Sequence, residues 1–205
     1  NERLFVCGNV ALSNAFFEGS GFFVHTAHQD EVRGYVKLEF VTGLAVRLAE
    51  KLGLTEFLRV QEILGTLTVN LEMIKSSVLA SEYTAQIENE VLKPNMQVLL
   101  AVRASLTKYY DEALRAIAEF ASGSIVAVPD FREFENSEIA DLLKASMTSP
   151  LLQAEDRALL LNLAWDITGE SFGQRQRTYE FLHGGNPMWI KNMHWKTADL
   201  SKAYD

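Results

Sequence analysis

Cysteine is almost missing from this 205-residue chain, with Cys7 the sole example. One thiol cannot close an internal disulfide, and it cannot build a multi-thiolate metal or iron–sulfur site from this chain alone, which fits a reducing cytoplasm. Basic charge is also scarce: 19 Lys and Arg stand against 27 Asp and Glu, a net charge of −8. Long-range attraction to nucleic acid or anionic membrane is therefore disfavoured, although a local basic site for a phosphate is still allowed. No apolar run reaches the ~18 residues of a membrane span, and Asn1-Glu2-Arg3-Leu4-Phe5-Val6 is not the opening of a secretory signal. There is no initiator Met, so the opening reads like the middle of a larger protein, cut by cloning or by proteolysis. Neither a Gly-x-Gly-x-x-Gly nor a Walker sequence occurs, and no Ser or Cys sits in a recognisable nucleophile setting. Nucleophilic catalysis has no candidate, and no catalytic residue is assigned.

What is present is helix. With 48% hydrophobic and 22% charged residues the chain has the makings of one globular domain over 1–205. Between Gln29 and Gly53, Leu38, Val41, Ala45, Leu48 and Leu52 recur three and four apart, one stripe of a helix that Gly53 stops. Thr55 is a candidate N-cap for a second helix striped by Val60, Leu64, Leu67, Leu71, Ile74 and Val78. Pro94 suits the first turn of a third, striped by Leu99, Val102, Leu106, Tyr109, Ala113, Ile117 and Phe120 and ended by Gly123. The β-branched, Pro-punctuated Ser124–Phe134 reads as an extended crossing segment, followed by a short helix near Ser137–Met147. From about Gln153 the residues Leu159, Leu160, Leu163, Ala164 and Ile167 mark a last long helix, broken around Gly169 and Gly173 and resumed to Leu182. Asn9–His28 is apolar and glycine-studded and is expected to be helical. The expected fold is all-α: an up-and-down four-helix-type bundle whose shared core supplies the stability, with a short extended N-terminal segment and an extra C-terminal helical tail.

Three groups invite chemistry. His25 and His28, near Asp30 and Glu31, allow a metal site to be imagined, but no metal is assigned. Glu180 and His183 form one Glu-x-x-His pair; a carboxylate-bridged di-iron centre needs two, so a solvated helix end is the better reading. The densest signal is Leu163-Ala164-Trp165-Asp166-Ile167-Thr168-Gly169-Glu170-Ser171-Phe172-Gly173-Gln174-Arg175-Gln176. Two glycines four apart let backbone approach a ligand, and N–H groups at a helix restart, with Ser171 and Arg175 beside them, suit a pyrophosphate. The competing reading is a tight helix break with a buried Trp.

These residues resemble the C-terminal domain of the 4-hydroxyphenylacetate 3-monooxygenase (hydroxylase) large-component family. The likeness runs from Glu2-Arg3-Leu4-Phe5-Val6 through His28-Gln29, Arg33, Lys37-Leu38-Glu39-Phe40, Gly43-Leu44-Ala45, Val60-Gln61 and Leu64-Gly65. It continues in Leu163-Ala164-Trp165-Asp166, Gly169-Glu170-Ser171-Phe172-Gly173-x-Arg175 and Tyr179-Glu180. Each segment alone is weak, and the set is specific.

The resemblance implies an acyl-CoA dehydrogenase-like fold in a dimer of dimers, of which this chain would be the helical bundle after an N-terminal helical domain and a middle β-domain. It also implies a cytoplasmic phenol ortho-hydroxylase, in which a separate flavin reductase supplies reduced FAD and the protein positions the flavin and excludes water. The phenol-binding residues of such enzymes belong to the earlier domains, so the fragment itself is expected to be inactive. What carries over is flavin contact: the turn residues Gly169, Glu170, Ser171, Phe172, Gly173 and Arg175, with Gln29 and Arg33 reaching a pyrophosphate, or else forming an internal ion pair or helix-start hydrogen bond. Two other readings are a non-enzymatic helical assembly module and a 4-hydroxybutyryl-CoA dehydratase-like protein. Against the latter, Gln29–Lys37 contains no Cys, and Val36 stands roughly where its cluster thiolate is needed.

Overall fold

The structure, a computed structural model, describes residues 2–204. Apart from one small hairpin it is helical, as the stripes predict. Among the described residues the helices are α1 (Val10–Gly19), α2 (Phe22–Lys51), α3 (Leu58–Tyr83), α4 (Met96–Ala121), α5 (Ala140–Met147), α6 (Ala154–Thr168), α7 (Ser171–Leu182), α8 (Pro187–Thr197) and the single turn α9 (Ser201–Tyr204). The hairpin strands β1 (Gln86–Glu88) and β2 (Val91–Lys93) lie between α3 and α4. Contacts divide the chain into two compact units: Asn1–Tyr35, Met73–Leu106 and Gly184–Asp205 form the first, and Val36–Glu72 with Thr107–His183 form the second.

In the first unit, Asn9 caps α1 by accepting from the Leu12 N–H at 2.9 Å. The helical stretch expected over Asn9–His28 is two helices, because the chain turns at Ser20–Gly21, where Gly21 takes φ +79 at no cost to a residue without Cβ. Val24, Ala27 and Leu99 form a small core with Met96 against it. At Gly34, α2 and α4 come so close that a Cβ would collide with the Leu106 side chain. The Phe17 ring touches Phe22 and Phe23 at 5.6 and 5.3 Å between centroids, and Phe23 meets the edge of Trp189 at 6.0 Å.

The hairpin was not legible in the pattern. Its strands are almost entirely exposed and carry no alternation, and its signal is the turn: Asn89 and Glu90 both adopt positive φ, the geometry of a two-residue type I′ connection. Pro94 lies outside α4, whose cap is Asn95: its Oδ1 accepts from the N–H groups of Gln97 and Val98 at 3.0 and 3.4 Å.

In the second unit, Leu38, Val41, Ala45 and Leu48 of α2, Leu67 of α3, and Ala113, Ile117 and Phe120 of α4 are buried as their spacing predicts. Gly53 stops α2 at φ +72, and the Leu54 N–H donates back to the Ala49 carbonyl at 2.8 Å. Thr55 does not cap α3; its carbonyl accepts from the Gln61 side-chain amide at 2.8 Å, and the helix opens at Leu58. The stretch expected to be extended contains two 3₁₀ turns, Ser122–Ile125 and Phe131–Glu135, because Ser122 takes positive φ and Asp130 caps the second turn. Phe134, Ala154 and Ala158 form a core with Val128, Leu143 and Met147. The stripe expected on α6 is partly misplaced: Leu159 and Leu163 are exposed, while Ala154, Ala158, Leu161 and Ala164 face inward. Small residues admit the close neighbours, and so the alanines, together with Leu161, mark the inner face.

One helix departs from the expectation that nothing is apolar enough to span a bilayer. α3 passes by length and composition, with 22% of its most apolar window buried. Its inner stripe of Leu67, Ile74 and Val78 is joined by exposed Val69, Met73 and Leu79, so apolar residues cover more than one face.

Candidate functional site

The Gly169–Arg175 turn lies in the second unit and joins α6 to α7. α6 ends as the Gly169 and Glu170 N–H groups both donate to the Trp165 carbonyl, at 2.7 and 3.1 Å. Glu170 then becomes the N-cap of α7: it is extended at φ −74 and ψ 163, its carboxylate accepts from the Ser171 N–H at 3.3 Å, and its carbonyl accepts from the Gln174 N–H at 2.9 Å. The other carboxylate oxygen accepts from the indole N–H of Trp165 at 2.9 Å, and the Gln174 side-chain amide donates to the Thr168 carbonyl. Six hydrogen bonds thus lock a turn of a few residues.

The glycines serve this lock. A Cβ on Gly169 would enter the Trp165 ring, and one on Gly173 would collide with the backbone of Asp166 and Ile167 in the last turn of α6. Both glycines therefore permit helix-to-helix and ring-to-backbone approach within the chain, and Trp165 is half-buried against the turn. The carboxylate of Glu170 already occupies the start of α7 as its cap, adding negative charge where an anion would otherwise be favoured. Ser171, Phe172 and Arg175 point outward and are exposed. An outward line runs along α7 from Phe172 through Arg175 and Tyr179 to Leu182, three and four apart. It presents an aromatic ring, a guanidinium and a phenol at the surface.

Gln29 and Arg33 belong to the first unit, on α2. Gln29 is exposed. Arg33 is only partly exposed and donates to Asp30 one turn earlier; the other oxygen of that buried carboxylate accepts from Arg103 of α4 at 2.8 Å. The Arg103 Nε also lies 3.8 Å from the fully buried Glu31. An internal ion pair at Arg33, one of the two readings its sequence allowed, is thus present. His28, set beside His25 in the imagined metal site, holds Glu82 at 2.8 Å instead. Among the described residues no cluster of His, Cys, Asp and Glu has the makings of a metal site.

Glu180 is a correction. Read as part of a solvated helix end, it is buried on the inner face of α7 and accepts from the Lys37 ammonium at 2.6 Å. The same ammonium donates to Gln176 Oε1 at 2.6 Å and lies 5.0 Å above the Tyr179 ring, which is stacked on His183 at 4.3 Å. Sequence reasoning missed this junction because its partners are 139 and 143 residues apart. The available signal was that both ends, Lys37-Leu38-Glu39-Phe40 and Tyr179-Glu180, lie in segments that carry the family likeness.

The comparisons with known proteins agree with that likeness. The family described as 4-hydroxyphenylacetate 3-hydroxylase C terminal matches residues 13–205. A 4-hydroxyphenylacetate 3-monooxygenase oxygenase component of Geobacillus sp. (strain PA-9) is 31% identical over 188 residues, 91% of this chain and 38% of that protein. A crystal structure of the oxygenase component of 4-hydroxyphenylacetate 3-monooxygenase complexed with FAD and 4-hydroxyphenylacetate superimposes with a TM-score of 0.92 at 26% identity, over 99% of this chain and 43% of that one. An archaeal 4-hydroxybutyryl-CoA dehydratase shares the fold, at a TM-score of 0.69 and 20% identity over 76% of this chain. The chain therefore spans about two fifths of the length of the oxygenase components it matches.

Proposed function

The chain belongs to the 4-hydroxyphenylacetate 3-hydroxylase C-terminal family, and from that premise we propose that it is the flavin-contacting and assembly domain of a two-component phenol ortho-hydroxylase. The observation that carries the reading is the superposition of 99% of this chain on an oxygenase component that binds FAD and 4-hydroxyphenylacetate. FAD, reduced by a separate reductase, would activate oxygen for transfer to a phenol. The rest of the longer protein would hold the phenol, and the working enzyme would be a cytoplasmic homo-oligomer.

Within this chain the division of labour follows from exposure. Phe172 supplies a flat apolar surface, Arg175 a charge-assisted donor for phosphate oxygens, and Ser171 a hydroxyl beside them. Gly169, Glu170 and Gly173 shape the turn that presents these three. Gln29 offers an exposed amide, and Arg33 reaches phosphate only while still serving Asp30. None of these groups moves a proton in the proposed chemistry; their work is to hold the flavin and keep water from it. The exposed apolar residues of α3 suit burial against a second copy.

The test mixes the full-length protein anaerobically with reduced FAD and a 4-substituted phenol, admits oxygen, and measures catechol formed and flavin reoxidised, with the 205-residue chain as control. Catechol from the full-length protein alone is the expected result. If neither protein changes the reoxidation of free flavin, the enzyme reading falls and a helical assembly module takes its place.

A further inference from the structure

We propose that Lys37 is a positioning residue that fixes the rotation of α7 about its own axis and thereby aims the exposed line of Phe172 and Arg175. The inference rests on the reading that this turn meets the flavin, and adds a device by which it is held. α7 has 12 residues, about 18 Å of helix. Its inner line is Gly173, Gln176 and Glu180, spaced three and four apart, on a different face of the helix from Arg175. At the start of α7, Gly173 seats on the backbone of α6, which sets how near the two helices come. That seat and the hydrogen bonds of the turn hold only the first turn of α7.

The second fixation comes from α2. A single ammonium bridges Gln176 and Glu180, one turn apart, at 2.6 Å each, and also sits over the ring of Tyr179 between them. A roll of α7 by one residue position, about 100°, would carry both acceptors away from Lys37 and bury Tyr179 in their place. The remaining ties are weaker guides. The Thr107 hydroxyl donates to the Glu180 carbonyl at 3.2 Å, which a helix keeps near its axis, and Arg177 meets Asp111 at the exposed surface. The Glu180 carboxylate is buried, where an ion pair demands close geometry.

The experiment is a double-mutant cycle read by FAD affinity, using ultrafiltration of the full-length protein with FAD, on Lys37→Met, Arg175→Ala and the pair. Arg175→Ala is expected to weaken binding by about tenfold to a hundredfold. Lys37→Met should weaken it comparably in the natural background and by less than about twofold once Arg175 is gone, because a misaimed residue and a missing one lose the same contact. Lys37→Arg should restore most of the affinity. Should Lys37→Met fail to fold, Lys37→Met with Glu180→Gln removes the stranded charge and carries the same cycle. Equal losses in both backgrounds, or none, would overturn the positioning role and leave the turn as the flavin contact. An unchanged affinity in Arg175→Ala would bring down the flavin reading itself and the inference with it.

Discussion

Helix α2 contributes to two buried charge junctions, and they are built on opposite plans. In the first unit a buried carboxylate, Asp30, receives guanidinium groups from Arg33 and Arg103. In the second, one ammonium, Lys37, is shared between the amide of Gln176 and the carboxylate of Glu180. Arginine offers a rigid planar fork of donors, whereas lysine is a point charge on a flexible stem. The first plan gathers two cations on one carboxylate, and the second shares one cation between two acceptors.

The largest effect should come from Asp30→Ala, which removes the buried carboxylate that Arg33 and Arg103 share, at a cost of about 3–5 kcal/mol in chemical denaturation. Lys37→Met should cost about 2–3 kcal/mol, at the lower end because Lys37 keeps some contact with water. Equal losses in the two variants would erase the distinction between the junctions. Gly173→Ala tests whether the second junction depends on the seat of α7. Overpacking against the Ile167 carbonyl should cost about 2–3 kcal/mol, with Lys37→Met adding little once the helix has been pushed off its seat.

The smallest effect belongs to an exposed pair of the same chemistry. Hydrogen bonds from Arg132 hold the Asp130 carboxyl down to about 2, below its usual 3.8. Its folded-state value is depressed, so whatever it contributes is present above the unfolded value and is lost as pH falls from about 4 towards about 2. In Arg132→Ala the carboxyl titration followed by NMR should move back towards 3.8, with the unfolding midpoint at neutral pH unchanged.

The same contrast explains how much was legible beforehand. Asp30 and Arg33 are three apart on a helix, a pair that spacing alone brings together. Lys37 and Glu180 are separated by most of the chain, and only the folded structure joins them. Long helices announce themselves through apolar stripes, so α2, α3 and α4 could be placed, while their ends depended on single side chains such as Asn95 that a stripe does not weigh. The exposed hairpin buries no face and so leaves no periodicity to find. At the turn the glycines stood out in sequence, but whether the space before them held a ligand or the protein was a question of packing. Trp165 and the α6 backbone fill that space.

The contact between the Trp165 indole and the Glu170 carboxylate gives the α6–α7 turn its own optical signal. A tryptophan whose N–H faces a negative charge emits at a wavelength that depends on that charge, and an isoalloxazine ring nearby drains its excited state by energy transfer. With Trp189 and Trp195 replaced by Phe, the colour and lifetime of a single fluorophore would report, on the nanosecond scale, what happens at the turn.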